Sequence, residues 1–181
     1  AEPQAVRRFA VQAVGRADGR RGAFGAWWPA PTARIAPCAA STPPRCAAAW
    51  RGQGSNPRCE CDILPHDGPN AAHLLVVEVI TPAGHSSSDP PHQHDADTPP
   101  TWTQLEDTCC HRVNPPQDFA FQRVYTDDRS PDEACAVEDH DVVMVPSGYH
   151  PVVAPHGYDP YYLNVMARPQ RLLMFRKDPA L

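Results

Sequence analysis

Residues 74–95 read LLVVEVITPAGHSSSDPPHQHD, and the fold turns on how this stretch is read. Six of its first seven residues are apolar and four are β-branched, and Pro82 and Gly84 close the run. That is the pattern of a buried strand ended by a turn. Behind Pro90 and Pro91 come two histidines one residue apart, His92 and His94. A strand sends alternate residues to one face, so both imidazoles reach one ion if this segment is extended. An HxH pair on its own is weak, because surface loops carry many.

The rest of the chain supplies the context. DFAFQRVYT (118–126) sets Phe119, Phe121 and Arg123 against Ala120, Gln122 and Val124, a strand with two unlike faces. DVVMVPSGYHPVVAP (141–155) reads as strand, turn, strand. DPYYLNVMAR (159–168) is a further strand and RLLMFR (171–176) a last one. Turn signals separate these runs: NPPQ, TDDRSPDE, PSG and PHG. SPDEACAVED (130–139) can start a short helix with Ser130 as cap and Pro131 at the first position, or a turn leading into a strand. Many short strands without a long amphipathic period predict a small antiparallel β-barrel or sandwich.

Composition agrees. The 181 residues allow one domain with a core, and 23 prolines disfavour long helices. No apolar run is long enough to span a bilayer, and the net charge of −5 gives no case for nucleic-acid binding. Residues 1–50 differ from the rest: seven arginines face Glu2 and Asp18, a net of +5, which leaves −10 for the remainder. That start is rich in Ala and Pro and shows little periodicity beyond FAVQAV (9–14). It reads as an irregular segment, with a transit peptide as the other reading, and the domain proper is expected over 51–181. The seven cysteines are odd in number and two are adjacent, unlike a secreted disulfide framework. Free thiols and a cytoplasmic setting are expected.

Beyond the histidine pair, LEDT offers an acid, Glu106 or Asp107, and VPSGYHPV presents His150 after a tight Pro-Ser-Gly turn. Three imidazoles and a carboxylate suit Zn, Mn, Fe, Co or Ni and leave positions open for a substrate. Two histidines and an acid from one hairpin, with the last histidine from a later strand, is the order of a cupin.

A closer resemblance rests on longer strings. LLVVEVITPAGHSSSDPPHQHD, FAFQRVYTDDRS, VPSGYHPV and YYLNVMA look like the C-terminal half of the 5-deoxy-glucuronate isomerase family, and RGQGSNPRCECDILP (51–65) resembles the opening of that half. The resemblance covers about residues 51–178 and leaves 1–50 as at most a remnant of an N-terminal cupin. It implies a cupin barrel and a divalent transition metal (Zn, Mn or Fe) on His92, His94, Asp107 and His150. It also implies an aldose–ketose isomerisation of 5-deoxy-glucuronate to 5-dehydro-2-deoxy-gluconate in inositol catabolism. There a metal on both oxygens stabilises the enediolate as a Lewis acid. The family's LEETYYH is LEDTCCH here (105–111), so Asp107 is one methylene short of the expected Glu and is expected to reach its ion poorly. The glycine expected before DVVMVP is His140, where a turn calls for positive φ.

Such chemistry needs a cation for the substrate carboxylate and a group to move a proton. Arg123 is the expected cation, with pairing to Asp127 or Asp128 as its structural alternative. Tyr162, His156 and Glu78 are the candidates for proton transfer. The expected partner is a small sugar acid, with no nucleic acid and no membrane, and a homo-oligomer is allowed. Two other readings stand beside the isomerase: a truncated or degenerate cupin that binds a sugar acid without turnover, and an iron-dependent dioxygenase.

Overall fold

A computed structural model describes residues 14–16 and 48–181. Its strands are β1 (Val14–Arg16), β2 (Ala48–Arg51), β3 (Arg58–Leu64), β4 (Leu74–Ile80), β5 (Ser86–Ser87), β6 (His92–Gln93) and β7 (Glu106–Asn114). There follow β8 (Phe119–Tyr125), β9 (Asp132–Glu138), β10 (Asp141–Val145), β11 (Val152–Val153), β12 (Asp159–Ala167) and β13 (Arg176–Lys177). There is no helix among the described residues, and so none long and apolar enough to cross a membrane. The FAVQAV segment falls outside the described residues except for Val14.

One sheet has seven strands in the order β1-β10-β7-β12-β4-β3-β2, and a second has four, β5-β11-β8-β9. A short third sheet pairs β13 with β6. All the pairings are antiparallel. Side chains of both large sheets meet in one core: Val79, Cys109, Val143, Val145 and Tyr162 from the first, Ala120, Val137 and Val152 from the second. Val137 and Val152 are 0% exposed. Removing each from water contributes about 1.5–3 kcal/mol. This is the β-barrel or sandwich that the turn spacing predicts.

Period two explains most of the details. Along β7, Asp107, Cys109, His111 and Val113 are buried and their neighbours less so. Cys109 and Cys110 therefore face opposite ways, and both are free thiols. Cys61 by contrast is disulfide-bonded, which corrects the expectation of free thiols throughout. The SPDEACAVED segment does not form a helix. Its residues 132–138 pair with β8 from Tyr125↔Asp132 to Phe119↔Glu138, and Val137 goes into the core. Cross-strand pairing overrides the Ser-Pro start signal. RLLMFR is a strand only from Arg176 onward. His140 has φ +72°, the left-handed turn anticipated where a glycine was expected.

Candidate metal centre and its cavity

His92, His94 and His150 each offer one ring nitrogen, and these nitrogens all lie within 4.8 Å of one another. The three rings form a cluster, with centroids 5.0 Å apart for His92–His150, 5.1 Å for His94–His150 and 6.2 Å for His92–His94. Two of them are fixed in the same way. His92 Nδ1 donates to the Pro90 carbonyl at 3.3 Å, and His150 Nδ1 donates to the Gly148 carbonyl at 3.1 Å. A carbonyl only accepts, so Nδ1 carries the hydrogen and Nε2 is left with a lone pair facing the cluster.

Local sequence sets these positions. Gly148 has φ +92°, and a Cβ there would run into the Tyr125 carbonyl, so the turn before His150 demands glycine. Its amide donates to Asp95 Oδ2 at 2.7 Å, which ties the turn back to the HQH segment. On the other side β6 pairs with β13, and the Phe175 ring packs on His92 with centroids 4.7 Å apart.

Asp107, the shorter acid, is not among the three residues whose ligand atoms all lie within 4.8 Å of one another, but it stands beside two of them. Its Oδ2 lies 3.4 Å from His94 Nε2 and 3.6 Å from His150 Nε2. Ligands about 2.1 Å from one ion stand roughly 3.0–3.4 Å apart, so this spacing is close to that of atoms sharing a metal. Oδ1 accepts from Asn164 Nδ2 at 2.6 Å, whereas Oδ2 is buried without any hydrogen-bond partner. A buried carboxylate oxygen aimed at the His150 lone pair is a costly arrangement unless a cation or the protonated His94 completes it. The three histidines form a group that could hold a metal ion, with the Asp107 carboxylate beside two of them.

The electrostatics follow the same geometry. Burial works against the Asp107 carboxylate, but His94 and His150 outweigh it and hold its pKa below the ordinary value. Burial also works against the His94 imidazolium, and Asp107 raises it above 6.5 regardless. Burial, then His150 and His94, push His92 down to about 3. Burial lowers His150 as well.

The cluster opens on a cavity of about 440 Å³. Alternate residues of three adjacent strands line it: Arg58, Glu60 and Asp62 on β3, Leu75, Val77 and Val79 on β4, and Tyr162, Asn164 and Met166 on β12. The Tyr162 hydroxyl is 3.2 Å from Ser88 Oγ. Ser88 also lines the cavity and sits at φ +52°, a strained conformation for serine. Burial pushes the Tyr162 phenol well up, so it stays protonated. Tyr161 faces the other way and donates to Glu78 at 3.1 Å, which takes Glu78 off the cavity.

The expected carboxylate anchor is not there. Arg123 shares its face of β8 with exposed Phe121, outside the barrel, and makes two 2.8 Å bonds to Asp132. Period two sends Ala120 and Gln122 inward instead. His156 is exposed in a turn and also lies off the cavity. His111 is 0% exposed and bonded to Gln122 at 2.8 Å, a core histidine and no ligand. Glu106 faces away from the cluster and is exposed. Reading from sequence missed Arg51, Arg58, Glu60, Ser88, Asn164 and Phe175. Three of these carry a usable signal: Asn164 shares the face of Tyr162 on β12, and Arg58 and Glu60 are charged residues two apart within a strand.

Residues 15–181 match the KduI/IolB family. The chain is 57% identical over 130 residues to the 5-deoxy-glucuronate isomerase of Halalkalibacterium halodurans, covering 72% of this chain and 48% of that protein. It is 56% identical over 130 residues to the enzyme of the same name from Bacillus subtilis strain 168, with the same coverage. The chain thus spans about half the length of these relatives. Among solved structures it resembles an IolB-like protein from Salmonella typhimurium LT2, with TM-score 0.72 and 52% identity over 75% of this chain and 51% of that one. A cupin-2 domain from Rhodospirillum rubrum matches at TM-score 0.50 and 12% identity, over 76% of this chain and 75% of the other, a likeness of fold alone.

Proposed function

This chain belongs to the KduI/IolB family, and from that premise we propose that it is an aldose–ketose isomerase converting 5-deoxy-glucuronate to 5-dehydro-2-deoxy-gluconate in inositol catabolism. The observation that carries the reading is the orphaned Asp107 Oδ2 buried beside the cavity-lining His94 and His150. His92, His94, His150 and Asp107 would hold a divalent transition metal, Zn, Mn or Fe. When bound, that ion supplies Lewis acidity to neighbouring carbonyl and hydroxyl oxygens of the substrate.

The chain's own residues do the rest. Tyr162, kept protonated by burial and steadied by Ser88, donates a hydrogen bond to a substrate oxygen on which negative charge develops. A phenol so raised is a donor and a poor base. Leu75, Val77, Val79 and Met166 exclude water from one wall, which strengthens each polar contact inside. The names of the relatives favour this reading over a non-catalytic cupin or a dioxygenase. The proposed setting is the cytoplasm.

The test is conversion of 5-deoxy-glucuronate by Zn-loaded protein without oxygen, followed by proton NMR. Turnover supports the isomerase, because no redox change at the metal is needed. A full equivalent of metal with no product sinks it, and oxygen consumption with Fe points to the dioxygenase.

A further inference from the structure

Glu60 divides its carboxylate between two arginines. Oε1 accepts from Arg58 Nε at 2.7 Å, and Oε2 lies 2.6 Å from Arg51 Nε. Two guanidinium charges thus face one carboxylate, which leaves the three-residue cluster net positive. Arg58 is firmly held: its side chain is 14% exposed, and Nη1 donates to the Asp89 carbonyl at 3.0 Å and the Asn56 carbonyl at 3.3 Å. Among the described residues, Nη2 of Arg58 and both Nη atoms of Arg51 have no partner. All three side chains line the cavity that holds the histidine cluster.

We propose that Arg51 and Arg58, bridged by Glu60, form an anion subsite that takes the carboxylate of a six-carbon uronic acid whose other end meets the histidines. The inference rests on the reading of the substrate as a sugar acid and adds the residues that select it. Distance supports it. Asp89, which Arg58 grips, lies three residues before His92, so their Cα atoms are at most about 11 Å apart. An extended six-carbon chain spans roughly 6 Å between its end carbons, and the guanidinium and imidazole side chains take up the remainder. In 5-deoxy-glucuronate the reacting carbons are C1 and C2 and the carboxylate is C6, at the opposite end.

Glucuronate and glucose differ at C6 alone, carboxylate against hydroxymethyl, and both can be titrated calorimetrically into metal-loaded full-length chain. The wild type is expected to bind glucuronate about tenfold to a hundredfold more tightly. Arg51→Gln and Arg58→Gln should each remove most of that preference and leave metal content and glucose affinity unchanged. Arg58→Lys should restore part of it, since the charge returns without the fork. Arg51 is 55% exposed, so its variant tests the idea even if Arg58→Gln disturbs the loop at Asp89. A preference that survives in both variants overturns the subsite, as does a wild type with no preference or no binding of either sugar. Turnover of 5-deoxy-glucuronate with unchanged KM in both variants also overturns it, while the isomerase stands. A wild type that prefers glucuronate but turns nothing over upholds the subsite and removes the isomerase.

Discussion

Replacing Asn164 by alanine tests whether Asp107 is held as a one-oxygen ligand. Asn164 Nδ2 donates to Oδ1 at 2.6 Å and lies 3.3 Å from Cys109 Sγ, so it is wedged beside the carboxylate. This bond fixes the carboxylate plane and leaves Oδ2 toward the histidines. Alanine would leave Oδ1 buried and unpartnered, at about 1–3 kcal/mol. Loss of an outer hydrogen bond to a metal ligand typically weakens affinity 10–100-fold, which is about 1.4–2.7 kcal/mol. The two estimates coincide, and the expected loss of Zn affinity is about tenfold to a hundredfold. A chromophoric chelator competing with metal-free protein at fixed pH and ionic strength measures it. Asn164→Asp should weaken binding further, because a second carboxylate would then face Asp107. If Asn164→Ala bound Zn as tightly as the wild type, Asp107 would not depend on this bond, and its place among the ligands would be in doubt.

Three further outcomes are expected. Asp107→Glu should not tighten metal binding, because Oδ2 already stands near ligand spacing from two histidines. The added methylene, at a side chain 0% exposed, should lower metal-free stability by about 1–3 kcal/mol in urea melts; a tighter Zn complex would refute this. The metal-free protein should weaken as pH falls from 6.5 to 4. Burial holds His111 down at about 4 when folded, so the unfolded chain binds protons that the native state refuses. That single group amounts to roughly 3 kcal/mol across the window. His111→Gln should flatten the slope by that amount, and an unchanged slope counts against a neutral buried imidazole. Arg123→Gln should leave metal affinity and KM unaltered, since its partner is Asp132 on the outer surface; a raised KM would return it to the site.

Much of this architecture was legible because it depends on local rules. The β-branched run at Leu74–Ile80, the HQH pair and the Pro-Ser-Gly turn each state their conformation in a few residues. Arg123 shows where that legibility ends. Alternation marks two faces on β8 but does not say which looks inward, and the answer depends on packing against β9 and β11. Asp107 shows a second limit. Side-chain length suggested a shortfall, but it does not foretell that the placement of β7 sets the carboxylate beside His94 and His150. Arg51 and Arg58 are invisible for a third reason: their importance lies in sharing Glu60, a contact that spacing alone does not single out. The 130–139 segment carried an alternating pattern as well as a helix-start signal, and neighbouring strands decided between them.

Phe175, which packs on His92, belongs to a stretch with consequences in time. Residues 172–178 cross beside the centre: the Thr103 hydroxyl donates to the Leu172 carbonyl at 2.8 Å, the Thr103 amide donates to the Met174 carbonyl at 3.0 Å, and the Asp178 amide donates to the Pro91 carbonyl at 2.8 Å. Tyr125 adds a 2.8 Å bond to Asp178 Oδ2. A chain growing from its N-terminus has all three histidines and Asp107 once residue 150 is made, yet lacks this wall until some two dozen residues later. β12, whose Asn164 holds Asp107, is also made only after residue 150, so the centre is completed by the C-terminal part of the chain. A chain ending near residue 170 would keep all four candidate ligands and still lack Leu173 and Phe175, which line the cavity.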